Sequence, residues 1–236
     1  MRILIITDFT ESFAYKILKG IVSYSKTKQN WEICRMPPAY KESLGIDGVV
    51  EWAVKWGANA VIGQFDSSDD VTLFANAGIV AVAQDYISRF KGIPNITADY
   101  YNTGKMAAEF YLGRGFTNFA FFGFKDVCWS DERFDGFRDT VEHAGHTLHS
   151  YRMQDIKVLW YYEREKLTQW LTSLPKPVAI MACDDNQGSN LIDACNAVGI
   201  RIPYEVSVIG VDDDEMVCNL NTPPLSSIRV YFEQGG

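Results

Sequence analysis

The chain has 236 residues, 47% of them apolar and 14% aromatic, enough to fill one large core or two compact ones and too apolar for an intrinsically disordered chain. Its 22 Lys and Arg against 30 Asp and Glu leave a net charge of −8, which argues against this polypeptide gripping nucleic acid by itself, because that grip rests on neutralising phosphates. The five cysteines (Cys34, Cys128, Cys183, Cys195 and Cys218) are odd in number and form no C-x-x-C pair, as expected of free thiols in a reducing cytosol. The opening "MRILIITDF" holds too few apolar residues for a signal peptide and no apolar stretch approaches a membrane span, so a cytoplasmic protein with no membrane contact is expected.

Along the chain, short apolar runs alternate with helical patterns. "RILIIT" predicts a strand, followed by a helix whose face carries Phe13, Ile17 and Ile21 with Leu18 and Val22. "WEICRM" is the second strand, and a helix around "GIDGVVEWAVKWG" ends at Gly57. "NAVIGQF", a helix near "DVTLFANAG" and the strand "IVAVAQ" complete a first series. After "KGIPNITADY" the pattern restarts with a helix carrying Met106, Ala107, Phe110 and Tyr111, then the strand "NFAFFGF". "SDERFDGFRDTVEHAG" predicts a helix with Phe134, Phe137 and Val141 inward, and "TLHSYRM" a strand. A polar and aromatic helix to about Leu174, the strand "PVAIMAC", a helix with Leu191, Ile192, Cys195 and Val198 on its inner side, and the strand "VSVIGV" follow. Strands apolar throughout and alternating with helices predict two doubly wound parallel-sheet lobes of α/β class, bounded near 1–98 plus 226–236 and 99–225. The tail "PPLSSIRVYFEQGG" reads as a strand and the first residues of a helix that then stops, which predicts a longer natural chain.

Open parallel sheets bind ligands beyond the carboxyl ends of their strands. Asp8, Asp66 and Asp85 follow strands of the first half; in the second, Trp129 and Arg133 follow "FFGF", Asp184 and Asp185 follow "AIMAC", and Asp212, Asp213 and Asp214 follow "VIGV". Recurring carboxylates with an arginine and aromatics suit a polyhydroxy ligand. A carboxylate accepts two hydroxyl hydrogen bonds at once, a guanidinium is a rigid donor fork, and an indole offers a flat surface to the C–H face of a sugar ring. Taken singly, Asp8, Asp66 and Asp184 are as readily helix caps, and Trp129 as readily core. His143, His146 and His149 share a three-residue spacing, but Gly145 interrupts their helix, so no metal site is expected. A nucleophile elbow, a Walker loop and a dinucleotide fingerprint are all missing, so neither catalytic residues nor a cofactor are expected.

At these residues the chain resembles the sugar-binding core of the lac and galactose repressor family, which has the type I periplasmic-binding-protein fold. "ERFDGFRDTVEHAG" resembles that family's R-x-x-G-F helix, and the stretch from Pro177 to Ile228 matches its C-terminal signature. Within the family, "CWSDERFDGFR" and "QFDSS" are similar to the W-x-x-E-R…F-R helix and F-D loop of bacterial xylose-responsive regulators, which carry an AraC-type helix-turn-helix pair after the sugar domain. The resemblance implies a ligand cleft between the lobes, with Arg133, Asp184 and Asp212 facing the effector. Asp8, Phe13 and Asp66 are assigned by position after a strand, and Trp129 as a sugar platform. Asp213 and Asp214 are expected to cap or face water.

The resulting expectation is the effector domain of a transcription regulator, sensing xylose or a similar pentose by lobe closure. It would act as a homodimer and reach DNA through a domain outside these residues. The alternatives are a transport binding protein, which would need export, and an α/β sugar-processing enzyme, which would need a phosphate cradle or a general acid/base pair.

Overall fold

Successive apolar residues of the first strand point to opposite faces, and this explains how its sheet is covered. In β1 (Arg2–Ile6), Ile3 and Ile5 pack with Ile17 and Ile21 of α1 (Ser12–Thr27). Leu4 and Ile6 point the other way, into a core with Val49 and Ala53 of α2 (Pro38–Trp56) and with Val61, Phe65 and Phe74. The computed structural model describes residues 1–27, 31–154, 156 and 164–236. These form two compact units, Met1–Ala98 with Tyr231–Gly236, and Asp99–Val230.

In the first unit β2 (Glu32–Met36), β3 (Ala60–Gly63), α3 (Thr72–Asn76), β4 (Val80–Gln84) and β5 (Asn95–Ile96) complete a parallel sheet of order β2-β1-β3-β4-β5. The second unit runs α4 (Tyr100–Leu112), β6 (Phe119–Phe124), α5 (Cys128–His143), β7 (Leu148–Met153), α6 (Arg164–Ser173), β8 (Val178–Ala182), α7 (Asp185–Ala197), β9 (Val206–Val211), α8 (Glu215–Leu220) and β10 (Ser226–Ile228). Its parallel sheet has the order β10-β9-β8-β6-β7. Numbered within each unit, both sheets read 2-1-3-4-5, so each has a switch point beside its first strand, between β1 and β3 and between β6 and β8. Every residue of β6 and β8 is buried, as a central strand covered on both faces requires. The expected α/β class with two doubly wound sheets is therefore present.

Several local expectations are corrected. The helix expected around "GIDGVVEWAVKWG" begins earlier, at Pro38, and Gly45 at φ 67° and ψ 169° interrupts it before its end at Gly57. Val198 is 46% exposed, so it does not lie on the inner side expected for it. The return to the first unit comes at Tyr231 rather than 226, because Ser226–Ile228 pairs with β9; the tail then forms a short 3-10 helix, Phe232–Gln234, against α1. The early part of the aromatic helix expected before Leu174 lies outside the described residues.

α4 and α5 approach so closely that a Cβ on Gly104 would lie 2.0 Å from the Arg133 carbonyl oxygen, and one on Gly136 1.9 Å from that of Tyr101. This contact fixes α5, which carries Trp129 and Arg133. Intrinsic propensity favours Ala over Gly in a helix by about 1 kcal/mol. Gly104→Ala is nonetheless expected to lower the free energy of unfolding in urea by about 1–3 kcal/mol, through overpacking; an unchanged or raised midpoint would show that the helices can part freely.

Candidate ligand-binding site

The second unit gathers its polar residues around one arginine. Ser130 anchors the start of α5: its buried hydroxyl accepts from the Phe124 N–H at 3.0 Å and donates to the Phe124 carbonyl at 2.9 Å. One turn on, Arg133 is 2% exposed. Its Nη1 donates to the Cys183 carbonyl at 2.5 Å, at the end of β8, and its Nη2 to Asp212 Oδ1 at 2.9 Å, at the end of β9. The guanidinium carbon lies 5.2 Å from the Tyr100 ring centroid and 5.4 Å from that of Trp129. Nε is buried and has no hydrogen-bond partner among the described residues. Trp129, Arg133 and Asp212 are thus neighbours, and Asp184 directly follows the Cys183 carbonyl that Arg133 holds.

The acidic triplet divides into three tasks. Asp212 and Asp213 hold positive φ, 105° and 52°, a costly backbone outside glycine. The Asp212 N–H donates to the Ile228 carbonyl at 2.9 Å and its carboxylate faces Arg133. Asp213 receives Arg229 Nε at 2.6 Å, and Asp214 caps α8 by accepting from the N–H groups of Met216 and Val217. Neither Tyr100 nor Arg229 was singled out from the sequence; a tyrosine opening a helix carries no motif.

Asp184 caps α7, accepting from the Gln187 N–H at 2.6 Å, and burial pushes its pKa up to about 6. The next residue, Asp185, is 3% exposed, and burial pushes its pKa up to about 7.

The first unit places Asp8 and Asp66 at the carboxyl ends of neighbouring strands. Gln64, missed in the sequence, links those ends: its Oε1 accepts from the Thr7 hydroxyl at 3.1 Å and from the Asp8 N–H at 3.2 Å. Asp8 Oδ1 accepts from the Thr10 N–H and hydroxyl, at 2.9 and 2.6 Å, a turn-capping arrangement. Asp66 pairs at 2.8 Å with Lys41, which is 7% exposed and also meets Asp69 at 2.7 Å. Burial opposes the Lys41 charge, but the two carboxylates outweigh it and its pKa is raised. Phe13 packs against Phe232, with centroids 6.0 Å apart, and against the isoleucine cluster of α1. Asp85 is buried, with Arg89 Nε at 3.2 Å on one carboxylate oxygen and no partner for the other among the described residues. Also among them, no group of three His, Cys, Asp or Glu is placed to hold a metal ion, and no helix is long and apolar enough to cross a membrane. His146 lies 5.2 Å from the Phe119 ring.

Raised carboxyl pKa values fix the sign of a pH effect. Asp185 holds its proton more tightly folded than unfolded, so its contribution to stability is present below about pH 4 and lost as pH rises through about 7. Asp185→Asn, which does not titrate, is expected to be most destabilising near pH 4.5 and progressively less so towards pH 7.5. Urea melts of both proteins across that range give the difference; a pH-independent gap would contradict a raised pKa.

Known proteins share this arrangement of elements. A xylose operon regulatory protein of Haemophilus influenzae is 30% identical over 72% of this chain and 46% of its own length. One of Escherichia coli strain K12 is 24% identical over all of this chain and 60% of its own length. The chain therefore spans about half to three-fifths of these relatives. A solved structure described as the xylose-binding transcription activator xylR superposes with a TM-score of 0.76 at 21% identity, over 99% of this chain and 60% of that one. The periplasmic binding protein-like domain family matches residues 108–236, more than half of the chain and almost all of the second unit with its arginine and acidic triplet, and the chain belongs to that family.

Proposed function

We propose that this chain is the effector-sensing domain of a transcription regulator and that it binds a neutral monosaccharide, D-xylose being the first candidate. The observation that carries the reading is the buried Arg133–Asp212 pair, flanked by Trp129 and Tyr100 and neighboured by Asp184, beside the switch point of the second sheet. It offers acceptors, a guanidinium whose buried Nε has no partner among the described residues, and flat apolar faces, the set that ring hydroxyls and C–H groups call for. Relatives named as xylose operon regulators support the choice of sugar. Ligand occupancy shifts the domain between two states only as far as its affinity differs between them, and this is the signal passed to a DNA-binding domain outside these residues.

Asp212→Ala removes a charge-assisted acceptor, a loss of roughly 1.5–3 kcal/mol, or about ten- to hundredfold in Kd. Asp212→Asn is expected to fall between it and wild type. Asp212→Ala and Arg133→Ala both break a pair whose side chains are 17% and 2% exposed, at a cost of about 3–5 kcal/mol of stability, so each titration is read beside a urea melt of the same variant. Asp214→Ala is expected to cost about 1 kcal/mol of stability as a lost helix cap and to leave affinity unchanged. Calorimetric titration of xylose, arabinose and ribose into wild type and these variants, beside a turnover assay on the same sugars, tests the assignment. Wild-type protein that binds none of the three, or that converts one, overturns it.

A further inference from the structure

Asp185 lies one residue past the strand-end carboxylate Asp184, yet its bonds run to the acidic triplet. Its Oδ2 accepts from the Asp214 N–H at 2.7 Å, and its Oδ1 from the Ser227 hydroxyl at 2.5 Å. Ser227 Oγ in turn accepts from the Asp213 N–H at 2.9 Å. With the Asp212 N–H on the Ile228 carbonyl, every backbone N–H of the triplet is held, one by β10 and two by Asp185, directly or through one hydroxyl. β9 leaves room for this carboxylate: a Cβ on Gly210 would lie 2.3 Å from Asp185 Oδ1.

We propose that Asp185 is the positioning residue of the site, holding the backbone of Asp213 and Asp214 so that the Asp212 carboxylate stays on Arg133 and open to the ligand. The inference rests on the sugar-site reading for its functional meaning and on the bonding pattern alone for its structural one. Asp212 and Asp213 sit at positive φ, which costs free energy unless surrounding bonds over-determine it. Asp185 supplies them from a buried position, where water cannot take over a lost bond. Two donors converge on its two oxygens, an arrangement that the ionised carboxylate accepts in full, whereas asparagine offers one acceptor oxygen and turns an amide N–H₂ towards the other donor; the comparison is therefore made above about pH 7.

Two measurements separate this inference from the sugar-site reading. In ligand-free protein, amide hydrogen exchange at Asp213 and Asp214 is expected to quicken at least tenfold in Asp185→Ala and less in Asp185→Asn and Ser227→Ala, while β8 and β9 keep their protection, since the loss of about one buried hydrogen bond is local. Unchanged exchange at both amides in Asp185→Asn and Ser227→Ala overturns the inference even if the alanine variant fails to fold. In titrations with xylose, Asp185→Ala is expected to bind about tenfold more weakly, and the double variant with Asp212→Ala no more weakly than Asp212→Ala alone, because Asp185 acts through Asp212. Additive losses, or wild-type affinity in Asp185→Ala, overturn the positioning role. Quickened exchange in a protein that binds no sugar would leave Asp185 as the positioning residue and remove the sugar reading alone.

Discussion

A guanidinium that cannot give up its proton is held at 2% exposure in Arg133, and the second unit is arranged around what that charge needs. Taking it out of water costs several kcal/mol unless acceptors replace the solvent. Those acceptors come from different elements: the Cys183 carbonyl where β8 ends and the Asp212 carboxylate where β9 ends, with the rings of Trp129 and Tyr100 contributed by α5 and α4. The same residue therefore fastens two strand ends to two helices, and the glycine contact between α4 and α5 sets the depth at which it lies. Four elements are in register because one cation is buried between them.

The first unit meets a related demand with different chemistry. At the end of β3, Lys41 is buried between Asp66 and Asp69, and its charge is preserved because two carboxylates outweigh desolvation. An ammonium is a point charge that accepts whichever oxygens surround it, whereas a guanidinium is a planar fork that fixes directions. Asp66 is also 36% exposed in its side chain, against 17% for Asp212. The two sheets share a topology but differ in how rigidly their strand ends are furnished. The second, with the fork, the aromatic faces and the strained turn, holds its charged groups in the more closely fixed directions.

Much of the fold was legible because fully buried parallel strands appear as unbroken apolar runs, as in "FAFFGF" and "VAIMA", and because Gly57 marks its helix end. The parts that were not legible depend on distant partners. A two-residue strand such as Asn95–Ile96 has no periodicity to read, and Val198 continues an apolar stripe past the point where α7 leaves the core. In the site, the strand-end carboxylates and the spacing of Trp129 and Arg133 could be read directly, since both are local patterns. Tyr100, beside Arg133 in the second unit, and Lys41, beside Asp66 in the first, could not: each comes from an element distant in sequence from its partner, and nothing adjacent marks it. Phe13 follows β1, as its sequence position indicates, but its packing on Phe232, brought back by the far end of the chain, has no local mark.

Three acidic residues ending a buried strand conflict with folding only if they are asked to do the same thing. Here they do not share an environment: Asp212 faces Arg133, Asp213 faces Arg229, and Asp214 faces the amino end of α8, so each charge meets a positive partner or a helix dipole. The departures from local rules nonetheless concentrate around them. Positive φ at Asp212 and Asp213, a guanidinium N–H with no partner among the described residues and two carboxyls pushed up by burial lie together where β8 and β9 end. A third aspartate at positive φ, Asp126, follows β6. Folding gains nothing from collecting strain and desolvated charge in one place, whereas a site that must bind and release a polar ligand needs groups that the fold leaves incompletely satisfied.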